Sequence, residues 1–240
     1  MSIYSVKVLG MSCLLAALLL YSCSGNKTNQ LSDQERKDGW SLLFDGKSTD
    51  GWHLYNQGKT PSKWMVRDGE LYSDTSDQYL QGDLVTDKEY HDFDLSFEWK
   101  IAEGGNSGVF IDVQERPELR AAWSSGPEYQ LLDKNHPDNA VPSKRSGAMF
   151  GLDPPADTSG PKAAGQWNLS RIKQVKGKIE YYLNGALTVN EDLGSPGWLA
   201  KVAQSNFKDF PEFGRHDSGH IALQYWSKSV SFRNIKIRAL

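Results

Sequence analysis

Cysteine is scarce in this sequence, which has two among its 240 residues, Cys13 and Cys23. Cys13 lies in an apolar N-terminal run that we expect to be removed, so the remaining chain has no cysteine pair for an internal disulfide. Stability must then come from packing. A chain of this length with 38% hydrophobic residues can bury one sizeable core.

An excess of positive charge is also absent. Lys and Arg number 27 against 30 Asp and Glu, and the two signs are interspersed along the chain. Nucleic-acid binding favours a basic patch, so this balance argues against a nucleic-acid partner. The five histidines show no two-ligand helical spacing, so no zinc site is visible. We predict no cofactor, and the sequence leaves a structural or catalytic divalent metal open.

Apolar runs long enough to span a bilayer are missing too. The run from Val8 to Tyr21, preceded by Lys7, is too short to cross comfortably, which predicts a signal peptide over residues 1–22. Its end, Leu20-Tyr21-Ser22-Cys23, resembles a lipobox, which would make Cys23 the lipidated N-terminus. A plain signal peptide with a chance cysteine is the alternative.

Residues 23–38 are predicted to be a lipidated tether with one short helix. Ser24 to Gln30 is polar, and Ser32 with Glu35 forms a capping-box pattern at a helix start. No acidic residue follows Cys23 directly, which favours a periplasm-facing anchor in the cell envelope. Contact with the membrane would be through the lipid alone.

Residues 39–240 are predicted to form a single domain of short strands. Apolar and polar residues alternate, which is typical of half-buried strands. The segments with this pattern are 95–101, 109–113, 129–132, 168–175, 178–183, 221–226 and 230–238.

Turns and one helix complete the predicted architecture. Asn184-Gly185 is typical of a tight hairpin turn, and Ser195 with Pro196 resembles an N-cap and first residue of a helix near Trp198. No repeat of 20 to 50 residues is visible, which argues against a propeller or solenoid. The pattern predicts an all-β fold, an antiparallel β-sandwich.

An ordered series of short motifs resembles a known family. The motifs are Gly39 to Lys47, Gly51-Trp52, Trp64 to Leu71, Tyr90 to Leu95, Asn106 to Phe110, Gly126 to Asp133, His136 to Asp138, Gly165 to Asn168, Leu183 to Gly185, Gly219 to Gln224 and Phe232 to Ile237. In this order they resemble the 3-keto-disaccharide hydrolase family, over roughly Gly39 to Leu240.

The resemblance implies a concanavalin-like sandwich (jelly roll) and cleavage of glycosides whose sugar carries a ketone at C3. The ketone acidifies the C2 hydrogen, so a base can remove that proton and the aglycone on C1 can leave by elimination, with or without later hydration. Such a site needs a carboxylate or imidazole base and donors for the oxyanion. The expected partner is an oligosaccharide or glycoside substrate.

The stretch from Glu128 to Arg145 holds these residue types. Glu128 and Gln130 alternate with apolar neighbours and should share one face of a strand. Glu128, His136 and Asp133 are, in that order, the acid or base candidates, and Lys144 and Arg145 are cationic candidates for the oxyanion. Each could instead be an ordinary strand or turn residue.

Sugar-binding candidates come from other predicted strands and are Asn106, Gln130, His220, Gln224, Tyr225 and Trp226. Tyr225-Trp226 stands where many relatives have Asp-His, and Gln166 where many have Glu. The two aromatic residues offer flat faces for stacking on a sugar. Trp123 and Trp198 could stack similarly or simply pack.

Three functions are therefore open. The first is an enzyme acting on 3-keto-glycosides or 3-keto-disaccharides. The second is a non-catalytic carbohydrate-binding lipoprotein on the same scaffold. Tyr225-Trp226 and Gln166, which replace the Asp-His and Glu of many relatives, favour this function. The third is an envelope scaffold without sugar contact.

Overall fold

The computed structural model describes Met1, residues 27–73 and residues 82–240. Apart from Met1, the predicted signal peptide lies outside the described residues, as does Cys23. Within the described part of the chain, no helix has the length and apolar character needed to cross a membrane.

Strands dominate the described chain. They are β1 (Ser41–Leu42), β2 (Trp52–Leu54), β3 (Trp64–Arg67), β4 (Glu70–Ser73), β5 (Leu84–Tyr90), β6 (Phe93–Ile101), β7 (Asn106–Val113), β8 (Glu128–Leu132), β9 (Asn168–Val175), β10 (Lys178–Leu183), β11 (Ala186–Asp192), β12 (Gly219–Leu223) and β13 (Val230–Ala239).

The strands form two sheets. The larger sheet has the order β11-β10-β9-β6-β13-β4-β3, with β1 also paired to β13. The smaller sheet has the order β2-β5-β12-β7-β8. All these pairs are antiparallel, which confirms the predicted antiparallel β-sandwich.

The core lies between the sheets because apolar side chains alternate inward on both. Phe97 and Trp99 of β6 face Val109 of β7 and Tyr129 of β8, and all four are at most 1% exposed. The rings of Phe97 and Tyr129 meet edge to face with centroids 5.8 Å apart. Burying each such side chain stabilises the fold by about 1.5–3 kcal/mol.

Both predicted helices form. Helix α1 (Asp33–Lys37) begins with the capping box of Ser32 and Glu35. Helix α2 (Pro196–Ala203) begins at the Ser195 cap. Its Trp198 is a core residue, so the packing alternative holds for this tryptophan. The indole N–H of Trp198 donates to the carbonyl oxygen of Gly214 at 2.8 Å, which fixes the loop that follows α2.

Candidate functional site

A cavity of about 390 Å³ opens over the smaller sheet, where β7, β8 and the end of β12 meet. Its size falls within the range of small-molecule sites. The strands contribute Asn106, Glu128, Gln130 and, just after β12, Gln224; the surrounding loops contribute Trp123, Asp138, Lys144, Phe150, Gly151, Asn206, Phe207, Phe210 and Trp226.

The alternation along β8 places its polar side chains in this cavity. Glu128 and Gln130 line it, whereas Tyr129 and Leu131 lie in the core between the sheets. The two polar residues therefore share one face of β8, as their spacing predicts.

The side chain of Glu128 lies over Gly108, in the space that a side chain at position 108 would fill. A Cβ added at Gly108 would be 2.1 Å from Oε1 of Glu128 and 2.7 Å from its Cδ and Cγ. Gly108 pairs with Gln130 and Phe110 with Glu128. The glycine of the Asn106-Ser107-Gly108 motif thus makes room for the carboxyl group of Glu128.

Glu128 is a buried carboxyl group and is 7% exposed. Burial raises its pKa well above the ordinary value, and the nearby Asp83 carboxylate raises the pKa further. Burial also raises the pKa of Asp83 to about 7, against the effect of the Tyr225 backbone N–H, which donates to Asp83 Oδ1 at 3.0 Å. The raised pKa makes Glu128 bind its proton more tightly than an exposed carboxyl group does, and it makes the ionised carboxylate a stronger base.

Amide side chains form the rest of the cavity floor. The Nε2 group of Gln130 donates to Oδ1 of Asn106 at 3.1 Å. The Oε1 atoms of Gln130 and Gln224 are buried and have no hydrogen-bond partner among the described residues. Buried acceptors are normally satisfied, so these two are available to the donor groups of a bound ligand.

The cationic group in the cavity, Lys144, has a partner. Its Nζ atom lies 3.2 Å from Oδ1 of Asp138, and both residues line the cavity. Asp138 therefore has Lys144 as its counter-ion, whereas Glu128, which also lines the cavity, has no counter-ion among the described residues.

Three of the predicted site residues make hydrogen bonds to backbone groups and do not line this cavity. Asp133 Oδ2 accepts from the Gly104 backbone N–H at 2.8 Å, and His136 Nδ1 accepts from the Asp138 backbone N–H at 3.1 Å. Arg145 donates from Nε to the Asn139 carbonyl oxygen at 2.9 Å. The structure therefore does not bring Asp133, His136 or Arg145 together with Glu128 at the cavity lining.

Two predicted sugar-binding residues near β12 also lie away from the cavity. His220 Nδ1 is 2.7 Å from the Thr86 carbonyl oxygen, toward the opposite end of β12 from Gln224. Tyr225 is 7% exposed and packs edge to face on Trp64 in the core. Of the adjacent aromatic pair, Trp226 alone lines the cavity, and it is 62% exposed.

Asp83 and most of the aromatic lining are features that the sequence did not reveal. Asp83 comes just before β5, and the strand order β5-β12-β7-β8 brings it close enough to Glu128 to affect the pKa of that residue. Phe150, Phe207 and Phe210 lie in loops without periodicity. Trp123, a stacking candidate from the sequence, lines the cavity.

Within residues 27–73 and 82–240, no group of three or more His, Cys, Asp or Glu side chains is arranged to hold a metal ion.

Comparisons with known proteins give one family and one fold. Residues 39–238 match the model of the 3-keto-alpha-glucoside-1,2-lyase-like domain. A 3-keto-disaccharide hydrolase from Bacteroides thetaiotaomicron is 29% identical over 96% of this chain and 97% of that protein.

Two crystal structures agree with the sandwich fold. A protein from Parabacteroides distasonis, named as a candidate glycosyl hydrolase, is 32% identical with a TM-score of 0.82, covering 89% of this chain and 100% of that one. A Bacillus subtilis protein with a galectin-like fold is 14% identical with a TM-score of 0.53, covering 89% and 94%. This second likeness concerns the fold alone.

Proposed function

Because the chain belongs to the 3-keto-alpha-glucoside-1,2-lyase-like family, we propose that it is a carbohydrate-active enzyme that cleaves the glycosidic bond of 3-keto-glycosides. The match confirms the resemblance found in the sequence. The observation that carries the proposal is the carboxyl group of Glu128, which is buried and lacks a counter-ion among the described residues, in a cavity lined with amide groups.

Proton transfer is the role proposed for Glu128. Its ionised carboxylate takes the proton from C2 of the sugar, and the electron pair of that C–H bond forms an enolate whose negative charge lies on the C3 oxygen. The enolate then re-forms the C3 ketone, and its electron pair makes the C1=C2 double bond as the C1–O bond breaks. The aglycone leaves with the pair of the broken bond and receives a proton, which Glu128 can return. The raised pKa of Glu128 suits both steps, since it strengthens the base and supplies the acid.

The negative charge that develops on the C3 oxygen needs donors. The Lys144 ammonium group is the cation in the cavity, and the amide groups of Asn106 and Gln224 are neutral donors beside Glu128. After the aglycone alcohol has left, water can add to the double bond, with its hydroxyl on C1 and its proton on C2, which gives the free 3-keto sugar.

The test is release of a chromogenic aglycone from a 3-keto-glucoside. We expect turnover by the wild-type chain and a loss of about 10²- to 10⁴-fold in kcat for Glu128→Gln, which keeps the shape but not the acid. Glu103→Gln, an exposed carboxylate in the β6–β7 turn, is the matched control and should not change kcat.

The alternative outcomes separate the competing functions. Sugar binding by calorimetry without aglycone release would favour a carbohydrate-binding protein. Release that Glu128→Gln leaves unchanged would move the chemistry to other residues and contradict the role given to Glu128.

Location in the cell envelope is part of the same proposal. The Leu20 to Cys23 segment supports lipidation at Cys23, with residues 39–240 as the single domain that the anchor carries. Cys23→Ser should move the protein from the membrane fraction to the soluble fraction. Unchanged membrane retention would argue against the anchor.

A further inference from the structure

The cavity has two chemically different sides. The floor on the smaller sheet is polar, with Asn106, Glu128, Gln130 and Gln224. The loops above it contribute five aromatic residues, which we call the aromatic wall: Trp123, Phe150, Phe207, Phe210 and Trp226. A substrate with two unlike halves matches such a site better than a uniformly polar one.

Part of the aromatic wall is held in place by ring contacts. Trp123 and Phe210 meet edge to face with centroids 4.9 Å apart. Phe207 stacks on Phe213 at 3.9 Å, and Phe213 is 1% exposed in the core. These contacts fix ring faces and edges at the cavity before any ligand binds.

Trp226 is the exposed member of the wall. At 62% exposure it leaves a large apolar surface in contact with water beside the polar floor. Exposed apolar surface next to a cavity marks binding sites in soluble proteins.

The charges at the cavity do not suit an anionic aglycone. Glu128 and the neighbouring Asp83 are acidic groups, and Lys144 is already paired with Asp138. A carboxylate or phosphate on the aglycone would find no unpaired cation in the described cavity lining.

From these observations we infer that the substrates are 3-keto-glycosides of neutral aromatic alcohols, with the sugar on the polar floor and the aglycone on the aromatic wall against Trp226. The inference rests on the proposed function. The orphaned acceptors of Gln130 and Gln224 fix the sugar end, and the wall supplies stacking for the other end.

The experiment compares kcat/KM for three 3-keto-glucosides that carry methanol, benzyl alcohol or a second glucose as the aglycone. All three leave as alkoxides, and benzyl alcohol is a poorer leaving group than a sugar hydroxyl, so leaving-group chemistry alone does not favour it. We expect the benzyl compound to be preferred by about tenfold over the other two, as one aromatic contact allows.

Trp226→Ala should reduce kcat/KM for the benzyl compound more than for the methyl compound, by a further factor of about three to ten. Trp40→Ala is the matched control, since Trp40 lies under Lys236 and Arg238 on the larger sheet; it should leave the preference intact.

Binding is measured in parallel by calorimetry on Glu128→Gln, which separates the inference from the proposed function. Tighter binding of the benzyl than of the methyl compound supports the aromatic wall even without turnover. A preference for the disaccharide, or an equal effect of Trp226→Ala on all three compounds, overturns the inference while the hydrolytic function stands. Absence of turnover with every compound overturns the function.

Discussion

Gly108→Ala tests whether Glu128 must lie where the structure places it. The added Cβ would be 2.1 Å from Oε1 of Glu128, far inside ordinary van der Waals contact. Gly108 is not among the glycines with positive φ, so alanine fits the backbone. The atoms in conflict belong to the side chain of Glu128, from Cγ to Oε1, and not to the backbone, so we expect Glu128 to move rather than the sheet.

The expected cost falls mainly on catalysis. Overpacking of this kind destabilises a fold by about 1–3 kcal/mol. A displacement of about 1 Å at the reacting groups costs about 10²-fold in rate. We therefore expect Gly108→Ala to fold and to lose about 10²-fold in kcat on a chromogenic 3-keto-glucoside.

A double-mutant cycle shows whether the loss acts through Glu128. If it does, Gly108→Ala should change kcat little when added to Glu128→Gln, because the group that it displaces is already inactive. Gly197→Ala is the matched control: its Cβ would meet nothing closer than Ser195 Oγ at 3.7 Å, and kcat should not change. Unaltered kcat for Gly108→Ala, or an equal loss in both backgrounds, would show that Gly108 does not act by positioning Glu128.

Two further predictions concern buried carboxyl groups and pH. Burial is the main cause of the raised pKa of Glu128, and the charge of Asp83 is the second. Asp83→Asn removes that charge, so the acidic limb of the pH–rate profile should move to lower pH. A limb that does not move would contradict the coupling between the two carboxyl groups. Burial raises the pKa of Asp112 to about 8, so the folded chain keeps a proton that the unfolded chain releases. The free energy of unfolding should therefore fall as pH rises from about 4 to 8, and urea titrations should show a smaller fall for Asp112→Asn, whereas an equal fall would argue against this assignment.

Much of the fold follows from local patterns. The alternation in 95–101 and 168–175 predicted strands that the structure contains, and Ser195-Pro196 predicted the start of α2. These features depend on neighbouring residues alone, because side-chain direction alternates along a strand and caps act within one turn. The shared face of Glu128 and Gln130 was predictable for the same reason.

The remainder of the site depends on contacts between distant segments. Asp83 raises the pKa of Glu128 because the smaller sheet, with the order β5-β12-β7-β8, brings the start of β5 near β8. Asp133 and His136 follow Glu128 closely in sequence, yet their side chains accept hydrogen bonds from nearby backbone groups instead of facing the cavity. Residue type and proximity in sequence could not distinguish these two arrangements.

The decisive step of the proposed reaction is removal by Glu128 of the C2 proton of a 3-keto-glycoside bound over the smaller sheet. A kinetic isotope effect on kcat/KM with substrate deuterated at C2 tests this step, with Glu128→Gln assayed beside the wild type. We expect slower cleavage of the deuterated substrate by the wild-type chain and little cleavage of either substrate by the variant. Equal rates for the two substrates, with fast turnover by Glu128→Gln, would exclude Glu128 as the base.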